Sequence, residues 1–388
     1  MIPPLLALLA WIPISMFFCY RYPIRVALLL IFVGGWAVLP AANYVPSTIE
    51  FPYWILGTDL ATNYFITKAH NLSGAAETYA ELMSTALPES VLIREVGPRD
   101  GFQNEPERIP TDDKVRLIDA LARTGLPRIE VTSFVRAEVV PQLSDAAEVL
   151  ARIDIPDSVS TAVLVPNRRG LEGALAHRDV IDEVILFLSA SESHNRHNVN
   201  RSVAESLQAI TELLGVIAEE GLRPVASIST SFGCPYEGHV APERVLELAE
   251  QLAEAGAREV SFGDTTGMAN PRQVGEFFTR ALERLPAVEL NGHFHNTRGQ
   301  GLANVLAALE AGVTSFDASF GELGGCPFPP GATGNIATED LISMLHEMGV
   351  QTGVDLDALL AVGRDVQAVL GRPLGSHLLT AGPVVWNG

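Results

Sequence analysis

From residue 83 onward the chain alternates short β-rich runs with amphipathic stretches eight times over, a pattern few folds accommodate. The β-rich runs fall at residues 91–96, 128–132, 158–165, 183–188, 224–229, 259–262, 288–295 and 314–318. Helical patterns follow at 111–124, 143–153, 168–177, 203–220, 242–255, 271–285, 299–311 and 337–348, and a last one at 356–370 trails them. Thr111, Ser202 and Pro271 stand where helix caps and first-turn prolines belong, and Gly256 and Gly312 where helices stop. Eight βα units predict an α/β fold of the (β/α)8 barrel type. A doubly wound sheet is the competing fold, but no Gly-x-Gly-x-x-Gly turn follows the first strand.

The preceding segment is of another kind. Residues 1–49 carry two charges, Arg21 and Arg25, which separate apolar runs at 4–20 and 26–49. From residue 83 there are 23 Lys+Arg against 42 Asp+Glu. Two domains are therefore expected: an apolar, helical segment over 1–82 and a barrel domain over 83–388. The apolar runs suit membrane helices, with the Arg21/Arg25 loop on the cytoplasmic side. A third, poorer run at 51–66 contains Asp59; if it also crosses, the barrel returns to the cytoplasm. A signal peptide fits less well, because no basic residue precedes the first run, and a buried soluble hairpin is the plain alternative. Met83 would also serve as the start of a stand-alone protein of 306 residues. Residues 1–82 then resemble a fragment of a bacterial polytopic membrane protein, fused or mis-started.

The net charge of −20 argues against nonspecific nucleic-acid binding. Three scattered cysteines, Cys19, Cys234 and Cys326, make no disulfide framework and fit a reducing compartment such as the cytoplasm.

Barrel chemistry sits at the C-terminal ends of the strands. There the first strand ends in Gly97-Pro98-Arg99-Asp100-Gly101-Phe102-Gln103-Asn104-Glu105. The second carries Glu130 and Thr132. The fourth runs into a loop with His194, Arg196 and His197, and the sixth ends at Asp264. The seventh ends in His293-Phe294-His295, and the eighth feeds Gly321-Glu322-Leu323-Gly324-Gly325-Cys326-Pro327 and, beyond it, Asn335. On a strand, residues i and i+2 share a face, so both imidazoles can turn to one side and chelate a divalent metal. A carboxylate from the first strand can join them across the mouth. Mixed oxygen and nitrogen ligands suit Mg²⁺ or Mn²⁺ and do not exclude Zn²⁺.

Arg99-Asp100-Gly101 with His-x-His on the seventh strand resembles the metal-dependent lyase and Claisen-condensing barrel superfamily. Within it, residues 95–105, Ile129-Glu130-Val131-Thr132-Ser133-Phe134 and Gly324-Gly325-Cys326-Pro327 resemble the 3-hydroxy-3-methylglutaryl-CoA lyase family, over about residues 91–360. The resemblance implies metal ligands at Asp100, His293, His295 and Asn335, a catalytic arginine at Arg99, a mouth glutamate at Glu130 and a loop acid at Cys326. Gln103 and Thr132 fall near the substrate, and Arg196 and Arg201 are candidates for CoA phosphates. It further implies an acyl-CoA substrate and a homodimer.

The implied reaction cleaves a carbon–carbon bond β to a thioester, giving acetyl-CoA and acetoacetate. A metal lowers the pKa of the 3-hydroxyl, and His293 or Asp100 takes its proton. Arg99 stabilises the enolate, and Cys326 protonates it. Plainer roles compete: Asn335 as a helix cap, Glu130 as a structural partner of Arg99, Cys326 as a loop filler, Asp264 as a strand-end turn residue and Cys234 as a packed thiol. Asn296-Thr297-Arg298 after His295 departs from the Asp-Thr-Tyr of better-known lyases, which leaves citramalyl-CoA open as a substrate. A condensing synthase and a membrane-tethered, non-catalytic barrel are the remaining readings.

Overall fold

Strands β1 (Leu92–Glu95), β2 (Arg128–Ser133), β3 (Ser160–Leu164), β4 (Glu183–Ser189), β5 (Arg223–Ser229), β6 (Glu259–Asp264), β7 (Glu289–Phe294) and β8 (Ser315–Ala318) pair in sequence order, all in parallel. β8 pairs back with β1 and closes the barrel. The computed structural model describes residues 87–325 and 334–386. These lie in a compact unit spanning Thr85–Gly388. The apolar runs of 1–66, the expected boundary at 82/83 and Cys326 fall outside the described residues. Among the described residues no helix is long and apolar enough to cross a membrane.

The barrel fold expected from the alternation is the observed one, and each expected strand lies within a residue or two of its place. The helices are α1 (Thr111–Leu121), α2 (Ala146–Arg152), α3 (Arg168–Leu175), α4 (Glu192–Val199), α5 (Val203–Glu219), α6 (Pro242–Glu254), α7 (Pro271–Arg284), α8 (Gly301–Ala311), α9 (Thr338–Glu347), α10 (Leu356–Leu370) and α11 (His377–Ala381). Ser202 caps α5 in a reciprocal capping box with Glu205. Gly312 ends α8 with a left-handed φ of 107°.

Two local expectations are corrected. Thr111 is the first residue of α1 and not its cap; Pro110 holds the cap position, and the Thr111 hydroxyl donates to Asp145 at 2.8 Å. The segment after β4, expected as a loop, is helix α4. The Ser191 hydroxyl caps it by accepting from the His194 N–H, and Asn200 ends it with a left-handed φ of 56°.

Apolar faces of the helices pack on the outside of the sheet. Phe232, Phe262, Phe277, Phe278 and Phe294 form one cluster between β6, β7 and α7, with edge-to-face contacts at centroid distances such as 4.9 Å. The floor of the barrel is ionic instead. Arg128, Glu183, Arg223, Glu259 and Glu289 each open a strand, so parallel pairing brings them to one level. Arg128 grips Glu183 with two bonds of 2.9 and 2.7 Å and also reaches Glu259 and Glu289. Arg94, 1% exposed on β1, pairs with Glu259 from above. Such charges are tolerated only as a mutually satisfied set, because each unpaired ion would cost several kcal/mol.

Candidate active site

The mouth of the barrel opens on a cavity of about 650 Å³. Its polar side is lined by Arg99, Asp100, Gln103, Glu130, His293 and His295, and its apolar side by Val135, Leu164, Ile185 and Phe187.

β1 delivers Arg99 and Asp100 through a tight π-turn, Gly97–Gly101, in which the N–H groups of both residues converge on the Val96 carbonyl at 3.1 and 2.7 Å. Such wide turns recur at functional sites because they re-aim side chains. Gly97 is required here: a Cβ would lie 2.6 Å from both Glu95 Oε1 and the Phe320 ring. Arg99 donates to Asp100 Oδ1 at 2.6 Å and to Glu130 Oε2 at 2.7 Å. Glu130 comes from β2 at a register shift, where Val131 is an extra residue relative to β3. Gln103 donates to Asp100 Oδ1 at 2.8 Å.

β7 turns both imidazoles inward, as the alternation of a strand requires. Their Nε2 atoms stand 3.2 Å apart. Ligand atoms of Asp100, His293 and His295 all lie within 4.8 Å of one another. Asn335 follows β8 and joins them: its amide N–H donates to Asp100 Oδ2 at 2.7 Å and to the Leu323 carbonyl at 3.1 Å. Gly324 makes this approach feasible, with φ of 117° and a Cβ position 2.6 Å from the Asn335 amide. Asn335 is not the cap of α9, which is Ala337.

The electrostatics follow from this packing. Burial opposes ionisation of Asp100, but Arg99, the two imidazoles and Asn335 outweigh it and hold the carboxyl below its usual range. Burial, followed by the charge of His293, pushes His295 down to about 3, so its imidazole is neutral at physiological pH. Burial also disfavours the cation at His293, yet the hydrogen bond and charge of Asp317, then Asp100, raise its pKa. Burial raises Glu130 against the pull of Arg99.

The donor set fits a divalent cation. Two nitrogens facing each other at 3.2 Å repel unless a cation or a shared proton lies between them. Asn335 Oδ1, beside them, is buried and without a hydrogen-bond partner. These residues would hold an ion through one carboxylate, two imidazoles and an amide oxygen.

The other expected residues fall into place unevenly. Arg201 lines the cavity, whereas Arg196 points to solvent and pairs with Glu192 at 2.8 Å. Thr132 is buried with its hydroxyl unpartnered and is not among the lining residues. Asp264 caps the turn after β6, accepting from Met268 and Ala269 at 2.7 and 3.1 Å; burial raises it to about 6. Cys234 is a packed thiol, 3.0 Å from the Ser191 hydroxyl. Two residues escaped the sequence reading. Asp317 on β8 lies 3.0 Å from His293 Nδ1, and Arg136, exposed, lines the rim. Only the strand register, which sets His293 beside Asp317, points to the first.

A closed (β/α)8 barrel thus gathers arginine, carboxylates and imidazoles at its C-terminal mouth. Residues 90–366 match the HMGL-like family model. The chain is 48% identical over 292 residues to hydroxymethylglutaryl-CoA lyase YngG of Bacillus subtilis, covering 75% of this chain and 97% of that one. It is 44% identical over 306 residues to (R)-citramalyl-CoA lyase of Chloroflexus aurantiacus, covering 76% and 96%. Among solved structures, an HMG-CoA lyase from Acinetobacter baumannii in complex with coenzyme A and 3-methylmalate matches with a TM-score of 0.72 and 41% identity, over 76% of this chain and 96% of that one. The chain belongs to the HMGL-like family.

Proposed function

We propose that this chain cleaves 3-hydroxy-3-methylglutaryl-CoA to acetyl-CoA and acetoacetate, using Mg²⁺ or Mn²⁺ held by Asp100, His293, His295 and Asn335. The observation that carries the reading is the convergence of Asp100, His293 and His295 within 4.8 Å, with Arg99 bonded to Asp100 beside them. The relatives named as hydroxymethylglutaryl-CoA lyases, and the coenzyme A bound to one of them, support the acyl-CoA substrate.

The bound cation would supply Lewis acidity that lowers the pKa of the 3-hydroxyl. Both nitrogens of His293 are committed, Nδ1 toward Asp317 and Nε2 toward His295 and the cation's place. We assign the hydroxyl proton to Asp100, the carboxylate whose oxygens also accept from Arg99, Gln103 and Asn335. As the O–H bond breaks, the C3–O bond becomes a carbonyl and the C2–C3 bond breaks, its electron pair passing to C2. The products are acetoacetate and the enolate of acetyl-CoA. Arg99 faces the developing enolate charge, and Glu130 holds the guanidinium in place through its 2.7 Å bond. Cys326, at the end of the glycine-rich segment after β8, donates the proton to C2. Exchange with solvent returns the proton from Asp100 to the thiolate. Gln103 steadies Asp100, Thr132 backs the β2 wall, and Arg201 binds CoA phosphates at the rim.

The 44% identity to a citramalyl-CoA lyase favours one second reading, a shorter branched acyl group on the same site. A comparison of kcat/KM for the two thioesters separates them. A higher value for 3-hydroxy-3-methylglutaryl-CoA is expected, and a higher value for citramalyl-CoA would replace the substrate.

A further inference from the structure

His293 can bind a cation through Nε2 only if the remaining ring proton sits on Nδ1. A neutral imidazole has two tautomers, and in water neither is held. In the barrel, one group faces Nδ1 at hydrogen-bond distance: Asp317 Oδ2, at 3.0 Å. The pair is set by register, since β7 and β8 place His293 and Asp317 opposite each other. Asp317 is itself fixed. It is 5% exposed, and its other oxygen lies 3.4 Å from Arg94 NH1. Arg94 is in turn bonded to Glu259 on the ionic floor. Asp317 lines the cavity but is not one of the Asp100–His293–His295 group, and it has no part in the bond-breaking steps above.

We propose that Asp317 is a positioning residue that locks His293 in the Nδ1–H tautomer with Nε2 bare and aimed at the cation's place, and that Arg94 anchors Asp317 from the barrel floor. This rests on the reading of His293 as a metal ligand. A carboxylate accepts from Nδ1–H and cannot donate to it. An amide at the same position can donate, which would leave Nδ1 bare and put the proton on Nε2, where it blocks ligation. D317N therefore removes the carboxylate's bias toward Nδ1–H while keeping the side chain's shape. Carboxylate partners of this kind are worth about 10–100-fold in metal affinity or activity.

The test uses the full chain with ¹⁵N-labelled histidine, loaded with Mg²⁺, together with Mn²⁺ binding followed by electron paramagnetic resonance. The His293 signal is assigned by its loss in H293Q. In the wild type, Nδ1 is expected at a protonated shift and Nε2 at an unprotonated or metal-bound one. In D317N, Mn²⁺ affinity is expected to fall about 10–100-fold with the pattern reversed, and kcat to fall more than KM rises. Wild-type chain that binds no Mn²⁺ would overturn the metal reading and this inference with it. Wild-type chain that binds Mn²⁺ but shows the Nε2–H tautomer would overturn the inference alone, and needs no folded variant. So would D317N with unchanged Mn²⁺ affinity and unchanged nitrogen shifts.

Discussion

At the scale of residues, the site is a set of mutual constraints. Arg99 is bonded to Asp100 on one side and Glu130 on the other, so its guanidinium plane has little freedom. If Arg99 faces the enolate as proposed, replacing it with glutamine removes that donor, and kcat is expected to fall about 10²–10³-fold, as when other oxyanion donors are lost. Steady-state kinetics of R99Q in the presence of saturating metal measure this, and a loss confined to KM would show that Arg99 only binds substrate. His293 and His295 were legible because their spacing carries meaning without tertiary context, and Asp100 because it ends the first strand in an Arg-Asp-Gly motif. A pair two residues apart on a strand must share a face. Asp317 was not legible. An aspartate between Phe316 and Ala318 has no local partner, and its role exists only once β8 pairs with β7. Thr132, expected near the substrate, is buried and does not line the cavity; it follows the register shift at Val131, which the sequence does not mark.

At the scale of elements, two features anchor the segments that carry the site. The segment after β8 is rooted by buried carboxyls: Glu95 accepts from the Phe320 N–H at 3.0 Å, and Glu339 accepts from the Gly321 N–H at 2.9 Å. Burial raises Glu95 to about 7 and Glu339 to about 8, from 4.5. Both are acids with raised folded-state pKa values, so the folded chain holds protons that the unfolded chain has released. Their contribution is full below about pH 4.5 and is lost as pH rises through 7 and 8. Thermal midpoints should therefore fall between pH 5 and pH 8, and E339Q should flatten that slope. An unchanged slope in E339Q would show that Glu339 does not titrate in this range. The second feature is the capping box of α5, which seats the helix beside the Arg201 rim. S202A should cost about 1 kcal/mol in denaturant unfolding with little effect on kcat. All eight strands could be read from apolar runs. Helix α4 could not, because Ser193-His194-Asn195-Arg196-His197-Asn198 has no apolar stripe. It is held by its Ser191 cap and by Asn195, whose side chain donates to the Arg201 and Ser202 carbonyls at 2.9 and 3.0 Å.

At the scale of the whole molecule, the barrel separates stability from chemistry. The ionic floor of Arg128, Glu183, Glu259 and Glu289 closes one end, and the mouth with Asp100, His293 and His295 occupies the other. Arg94 links them through Asp317. The eightfold alternation made the architecture legible in advance, whereas the floor was hidden. Five charged residues opening five strands look like ordinary strand boundaries until closure brings them together. The central claim is that this molecule uses a divalent cation to split one carbon–carbon bond of an acyl-CoA. Incubating the full chain with 3-hydroxy-3-methylglutaryl-CoA and Mg²⁺ or Mn²⁺, and quantifying both products, tests it most directly. Acetyl-CoA and acetoacetate should appear in equal amounts with metal and be abolished by EDTA. Absence of both products above the EDTA control would contradict it.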